Sequence, residues 1–355
     1  MDKEPSAGAA DHRTSSGDMD DRQTLTDLRV RADGGESDLR PWIEGLDLLH
    51  SLYFTVFRTV DSEAVRYQWW YRTLALGSTV AGAFAVLVAL YELARPGEHP
   101  RATPVELFLA FFSLLIVLLV IWRQIKQTWL LKRVQAERLR LSKFEALLGE
   151  SFWNTSGQPL LKSRLERDLG VMQLETEDSI EEWAHNHPIP KDRLAPKGIP
   201  RSLVEELRAY YQRTRLDTQL EYLKKKYPDE RKSNVWTRPW GPLLFYVSVA
   251  AAAGHAILEY GSNDPTRSWV ITFITLAVGL PAVAASFRVH RDTREYGRNS
   301  LRHHATYNAL HELSHRLREE QSPDGIFRIL GFCEQILESD TREWTRLFSE
   351  SEWFG

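Results

Sequence analysis

Four stretches of this chain, residues 73–91, 107–122, 239–258 and 268–287, contain no Asp, Glu, Lys or Arg. At about 1.5 Å rise per residue, helices of this length reach roughly 24–30 Å, close to the thickness of a bilayer's hydrocarbon core. A helix in water would need a charged face along that length, and none of the four supplies one. The pattern predicts an integral membrane protein.

The tryptophans agree with this reading. Trp69, Trp70, Trp122, Trp236, Trp240 and Trp269 lie at or just outside the ends of the four stretches, at the headgroup level that amphipathic indole prefers. Trp42, Trp129, Trp153, Trp183 and Trp344 lie in amphipathic or loop sequence, and cores are expected to take them.

Orientation follows from the cations. The short connection 92–106 carries Arg95 and Arg101, and 259–267 carries only Arg267. The other ends are crowded: Arg123, Lys126, Lys132 and Arg133; Lys224, Lys225, Lys226, Arg231, Lys232 and Arg238; Arg288, Arg291, Arg294 and Arg298. The positive-inside rule then places both termini and the central segment in the cytoplasm, in a multi-pass protein of the cell (inner) membrane. The first residues are acidic and polar, so no signal peptide is expected. The cations sit beside the predicted spans, where anionic lipid accounts for them; nucleic acid is not an expected partner.

Mean hydropathy is −0.37, so most of the 355 residues are expected outside the bilayer. The single cysteine, Cys333, excludes an intramolecular disulfide framework and fits a reducing compartment. The net charge of −3 conceals an acidic tail, residues 1–38, with ten acidic and five basic side chains and no aromatic ring. That composition predicts disorder.

The predicted fold class is therefore all-α: four transmembrane helices as two hairpins, extended by long cytoplasmic helices. Behind the tail, residues 39–150 form a first two-transmembrane unit. Residues 151–202, with Pro159, Pro188, Pro190, Pro196 and Pro200, read as a linker with one short helix. Residues 203–355 form a second unit, in which Ser322-Pro323-Asp324-Gly325 marks a turn before a last helix. Gln68-x-x-Tyr71 precedes the first hairpin and Gln219-x-x-Tyr222 the second. With the shared charge pattern, this predicts a tandem repeat.

Tyr211-x-x-x-Arg215-x-x-x-Gln219-x-x-Tyr222, followed by basic sequence and a hairpin, resembles the entry to the bacterial SLATT domains, the SMODS- and SLOG-associating two-transmembrane effector domains. Trp129-x-x-x-Arg133-x-x-Ala136-Glu137-x-Leu139-Arg140 resembles their exit helix, and Ile336-Leu337-Glu338 with Glu343-Trp344 their C-terminal helix. The resemblance covers about residues 63–141 and 209–348, as two units in tandem. The second exit helix departs from it: Arg294-Glu295 is present, but no Trp stands at the matching place. The resemblance implies a pore-forming membrane effector of bacterial conflict or anti-phage immunity. Such a protein oligomerises and perturbs the inner membrane when a nucleotide-signalling or sensor partner triggers it. Independently of any family, the four residues Tyr211, Arg215, Gln219 and Tyr222 share one helix face. That face either docks on an exit helix or lies solvated along a stalk.

No acidic or basic side chain other than His255, near the outer end of the third span, interrupts the four stretches, so no proton relay or charged selectivity ring is expected. Small residues recur every four positions: Gly77, Ala81, Ala85 and Ala89; Ala250 and Gly254; Ser248, Ala252 and Ala256. Such ladders allow close helix approach, within one chain or between chains of a homo-oligomer. Pro281, after Gly279, predicts a kink. His311-Glu312-Leu313-Ser314-His315 fits H-E-x-x-H, in which two imidazoles one turn apart bind zinc and the glutamate activates water. Glu334 or Glu338 would serve as third ligand, but Arg316 stands where that protease pattern wants an uncharged residue. His185-x-His187 is a weaker metal candidate. A membrane metalloprotease and a passive membrane scaffold are thus the alternatives. The expected function is non-enzymatic, with no catalytic, metal or cofactor residue assigned.

Overall fold

The computed structural model describes residues 19–94, 103–153, 158–173, 176–186, 193–261 and 268–350. Among them every element is helical and no strand occurs. In chain order the helices are α1 (Arg22–Asp33), a short 3-10 turn (Ser37–Leu39), α2 (Arg40–Ala94), α3 (Thr103–Trp122), α4 (Ile125–Leu147), α5 (Glu150–Trp153), α6 (Gln158–Gln173) and α7 (Glu177–His185). Then follow α8 (Arg201–Tyr211), a π-helical segment (Gln212–Asp217), α9 (Thr218–Thr237), α10 (Trp240–Gly261), α11 (Ser268–Asp292), α12 (Tyr296–Glu319) and α13 (Pro323–Glu350). Four helical stretches are long and apolar enough to cross a membrane: Arg40–Leu90, Pro104–Trp122, Arg201–Leu258 and Thr272–Glu319. This is a membrane protein built of α-helices.

The chain divides into two compact units, each drawing on both halves of the sequence. The apolar unit comprises the described residues of Tyr67–Lys126 and Pro228–Ser300. In it Ala75, Ser78, Ala81 and Ala85 of α2 are buried, while Phe108, Phe111, Leu114, Leu115 and Leu118 of α3 are exposed. Large apolar side chains on the outside and small ones inside is the arrangement expected where lipid replaces water. Trp69, Trp70, Trp122, Trp236 and Trp269 are exposed and Trp240 is half-buried; outside this unit Trp42 and Trp129 are buried, while Trp153, Trp183 and Trp344, also expected in cores, are half-buried.

Each helix pair of this unit is tied by a serine. Ser113 Oγ on α3 donates to the Ser78 carbonyl on α2 at 2.8 Å, and Ser248 Oγ on α10 donates to the Ala277 carbonyl on α11 at 2.8 Å. The second bond answers a deficit. Pro281 has no N–H for the carbonyl four residues back, and that carbonyl is Ala277. Helix α11 thus runs on through Pro281. Gly254 permits the contact between α10 and α11, since a Cβ there would lie 3.0 Å from the Phe273 ring.

Both departures from the apolar helices use the same backbone device. Gln124, between α3 and α4, has φ 46°, and Glu295, between α11 and α12, has φ 49°. For a residue with a Cβ this left-handed conformation costs about 1–2 kcal/mol.

The charged unit comprises the described residues of Met1–Arg66, Gln127–Tyr227 and Leu301–Glu352. Its core joins Leu46, Leu49, Tyr53 and Phe57 of α2, Phe144 and Leu147 of α4, Leu207 and Tyr211 of α8, and Phe327 and Leu330 of α13. Two boundaries drawn from composition do not hold here. Residues 19–38 belong to the fold: Met19, Leu25, Leu28 and Ala32 join the core, because α1 carries apolar side chains on one face of an otherwise polar sequence. Residues 1–18 lie outside the described residues. The expected linker also contains three helices, α5 to α7, which bury Phe152, Leu161, Leu165, Leu169, Ile180 and Ala184. A reciprocal capping box between Thr176 and Ser179 starts α7, and four of the five prolines of 151–202 lie beyond its end.

Candidate functional site

The polar face read from the sequence is a docking face. Tyr211 and Arg215 are buried at 0% and 2% exposure, and their common partner is Glu334 of the last helix, α13. Arg215 grips both carboxylate oxygens at 3.1 and 3.2 Å, and the Tyr211 hydroxyl donates to the first of them at 2.5 Å. The Arg215 guanidinium lies 4.7 Å from the centre of the Phe144 ring of α4. The π-helical segment adds one residue to a turn at this point, and Arg215 and Leu216 are both buried. Gln219 and Tyr222, further along the same face, are half-buried.

Burial pushes the Glu334 carboxyl above its usual range, and Arg215 and Tyr211 oppose that shift. Burial and the neighbouring Glu334 also push the Cys333 thiol up, which keeps it protonated and unreactive.

A second buried pair closes on α1. Asp21 and Lys143 meet at 2.9 Å with each side chain about 1% exposed, and the Tyr210 hydroxyl donates to the other Asp21 oxygen at 2.5 Å. A third cluster surrounds Glu137, which pairs with Arg133 at 2.6 Å and Arg140 at 2.7 Å; Arg133 also reaches Asp61 at 3.3 Å. Burial alone would raise the Glu137 carboxyl, but Arg140, Arg133 and Arg215 outweigh it and hold it at about 2. On α13, Arg342 pairs with Glu338 at 2.7 Å and stacks over Trp183 at 4.2 Å. It also donates to the carbonyls of Trp183 and Asn186 at the end of α7.

The H-E-x-x-H residues lie on the exposed side of α12. The rings of His311 and His315 are 4.8 Å apart, but Glu312 is paired with Arg316 at 2.9 Å. The two acids considered as third ligand are engaged elsewhere, Glu334 by Arg215 and Glu338 by Arg342. Among the described residues no group of three His, Cys, Asp or Glu side chains is placed to hold a metal. His185 Nδ1 contacts the Glu181 carbonyl at 2.9 Å, and His187 lies outside the described residues. His255 is half-buried in α10.

The small-residue ladders divide. On α2, Ala81 and Ala85 are buried, whereas on α10 Ser248 and Ala251 are buried and Ala250, Ala252 and Ala256 are exposed. The buried face of α10 is thus set by Ser248 and its bond to α11 rather than by the four-residue spacing.

Sequence reading missed the Asp21–Lys143–Tyr210 cluster. Its signal was present: Asp21 stands directly before a run with Leu25, Leu28 and Ala32 on one face, a helix start inside sequence whose overall composition reads as disorder. The partner of Arg215 was also missed, because Glu334 lies 119 residues away along the chain. Comparison with protein-family models, with curated proteins and with solved structures finds no match for this chain.

Proposed function

We propose that this chain is a multi-pass effector of a bacterial inner membrane, with both termini cytoplasmic, acting in conflict or anti-phage immunity. In this reading it oligomerises and permeabilises the bilayer when a nucleotide-signalling or sensor protein triggers it. The observation that carries the proposal is the apolar unit: four helices without an Asp, Glu, Lys or Arg in their central stretches, joined by serine-to-carbonyl bonds. Such contacts give way at modest cost, since an interhelical hydrogen bond in a membrane is worth only about 0.6 kcal/mol on average. A path lined by Gly, Ala, Ser and Thr faces then needs no buried charge to move.

Three further features support this reading. The resemblance to SLATT domains falls on Arg215, held in a buried ion pair, and on Glu137, held in a partly buried one. Left-handed residues at both departures, Gln124 and Glu295, fit two copies of one hairpin unit in tandem. Ala252 and Ala256 leave a small-residue surface on α10, suited to close contact with another copy.

The test is expression in a bacterial cell with a potential-sensitive dye. Induced wild-type protein, together with the products of its neighbouring genes, is expected to collapse the membrane potential, and Ala252→Leu with Ala256→Leu to delay that collapse. A steady potential under every trigger would remove the effector reading and leave a membrane scaffold.

A further inference from the structure

His311 and His315 are set apart from the histidines around them by what they lack. His303 contacts Arg302 at 3.1 Å and His304 contacts Asn308 at 3.3 Å. His311 and His315 have no hydrogen-bond or ion-pair partner among the described residues, and both are exposed. Their helix is nonetheless fixed in register. Leu310 and Leu317 are fully buried on the opposite side of α12, and Ser314 between them accepts a 2.9 Å bond from Gln212 Nε2. Tyr307, one turn earlier, stacks on the His311 ring with centroids 5.6 Å apart and planes 28° apart.

This is the spacing that a two-imidazole chelate uses. Side chains four residues apart lie one above the other on a helix. A metal–nitrogen bond of about 2.0–2.1 Å places an ion roughly 3.2 Å from each ring centre. With one nitrogen of each ring turned to a common ion, ring centres 4.8 Å apart would subtend an angle of roughly 100° there, between the square-planar and tetrahedral values. Glu312 pairs with Arg316 on the same exposed face and is not counted among the ligands.

We propose that His311 and His315 bind one divalent transition cation of the class that imidazole prefers, Cu2+, Ni2+ or Zn2+, with water in the remaining positions. The site is a surface clamp across one turn of α12. It does not depend on the effector reading: cation binding is measured on purified protein, without any membrane potential.

The experiment titrates tag-free, full-length protein in detergent with Cu2+ and with Zn2+ by calorimetry, and records the electron paramagnetic resonance spectrum of the Cu2+ form. Wild type is expected to bind one ion per chain, Cu2+ tighter than Zn2+, with nitrogen coordination in the spectrum. His311→Ala with His315→Ala is expected to weaken binding at least tenfold, equivalent to about 1.4 kcal/mol, while Glu312→Gln stays within about twofold. The three side chains are exposed, so the variants fold. Equal affinity in the double variant, or a loss in Glu312→Gln as large as that of the histidine variant, overturns the proposal.

Discussion

At Pro281 a single missing N–H decides the chemistry of a helix pair. The Ala277 carbonyl that it leaves open is satisfied from α10 by Ser248, so the two residues are energetically coupled although they lie on different helices. Ser248→Ala is expected to destabilise the protein by about 1 kcal/mol, the upper part of the range for interhelical bonds in membranes. In a Pro281→Ala background, where the backbone N–H returns, the same substitution is expected to cost markedly less. Unfolding in mixed detergent across the four-protein cycle measures this, and equal losses in both backgrounds would refute the coupling. The sequence displayed Pro281 and Ser248 separately. It held no signal that one compensates for the other, because the bond depends on how α10 and α11 are rotated, and the four-residue ladder Ser248–Ala252–Ala256 does not fix that rotation. The polar face of Tyr211 and Arg215 was legible for the opposite reason: a regular spacing of polar residues survives in one dimension, whereas the distant Glu334 that satisfies it does not.

Helix α1 is the element on which composition and packing disagree. Acidic, aromatic-free sequence argues for disorder over the whole of 1–38, yet four apolar side chains of Met19 to Ala32 enter the core and Asp21 meets Lys143 out of contact with water. Removing one member of a buried pair strands the other. Asp21→Ala is therefore expected to cost about 3–5 kcal/mol, and Lys143→Met added to it to restore most of that loss. Thermal unfolding of the detergent-solubilised variants measures the recovery, and a double variant no more stable than Asp21→Ala would show that α1 docks through its apolar face alone. The four apolar stretches, by contrast, were legible in the sequence as helices, although each helix runs beyond its uncharged stretch at one end or both. An uncharged run of bilayer length has few alternatives, whereas a short helix such as α7 rests on local capping, on the burial of Ile180 and Ala184 and on the distant Arg342.

For the molecule as a whole, four apolar helices fix the class of protein, while the direction of insertion rests on the cations at their ends. Substituting Cys333→Ala gives a cysteine-free chain, since no other cysteine exists. In that background a membrane-impermeant maleimide applied to intact cells is expected to label Glu98→Cys and Asn263→Cys and to spare Lys225→Cys until the membrane is opened. Labelling in the reverse order would invert the topology and with it the proposed effector mechanism. The tandem arrangement read from the charge pattern and the division into compact units are different descriptions of one chain. The first follows sequence order, and the second gathers residues from both halves on either side of Arg66, Lys126, Tyr227 and Ser300.

Helix α2 passes from amphipathic into apolar sequence without a break over 55 residues, whereas the chain leaves α3 and α11 through left-handed residues, Gln124 and Glu295. Inserting one residue in α2 would therefore turn every later side chain of that helix by about 100° about its axis, while the register between α3 and α4, and between α11 and α12, is already interrupted.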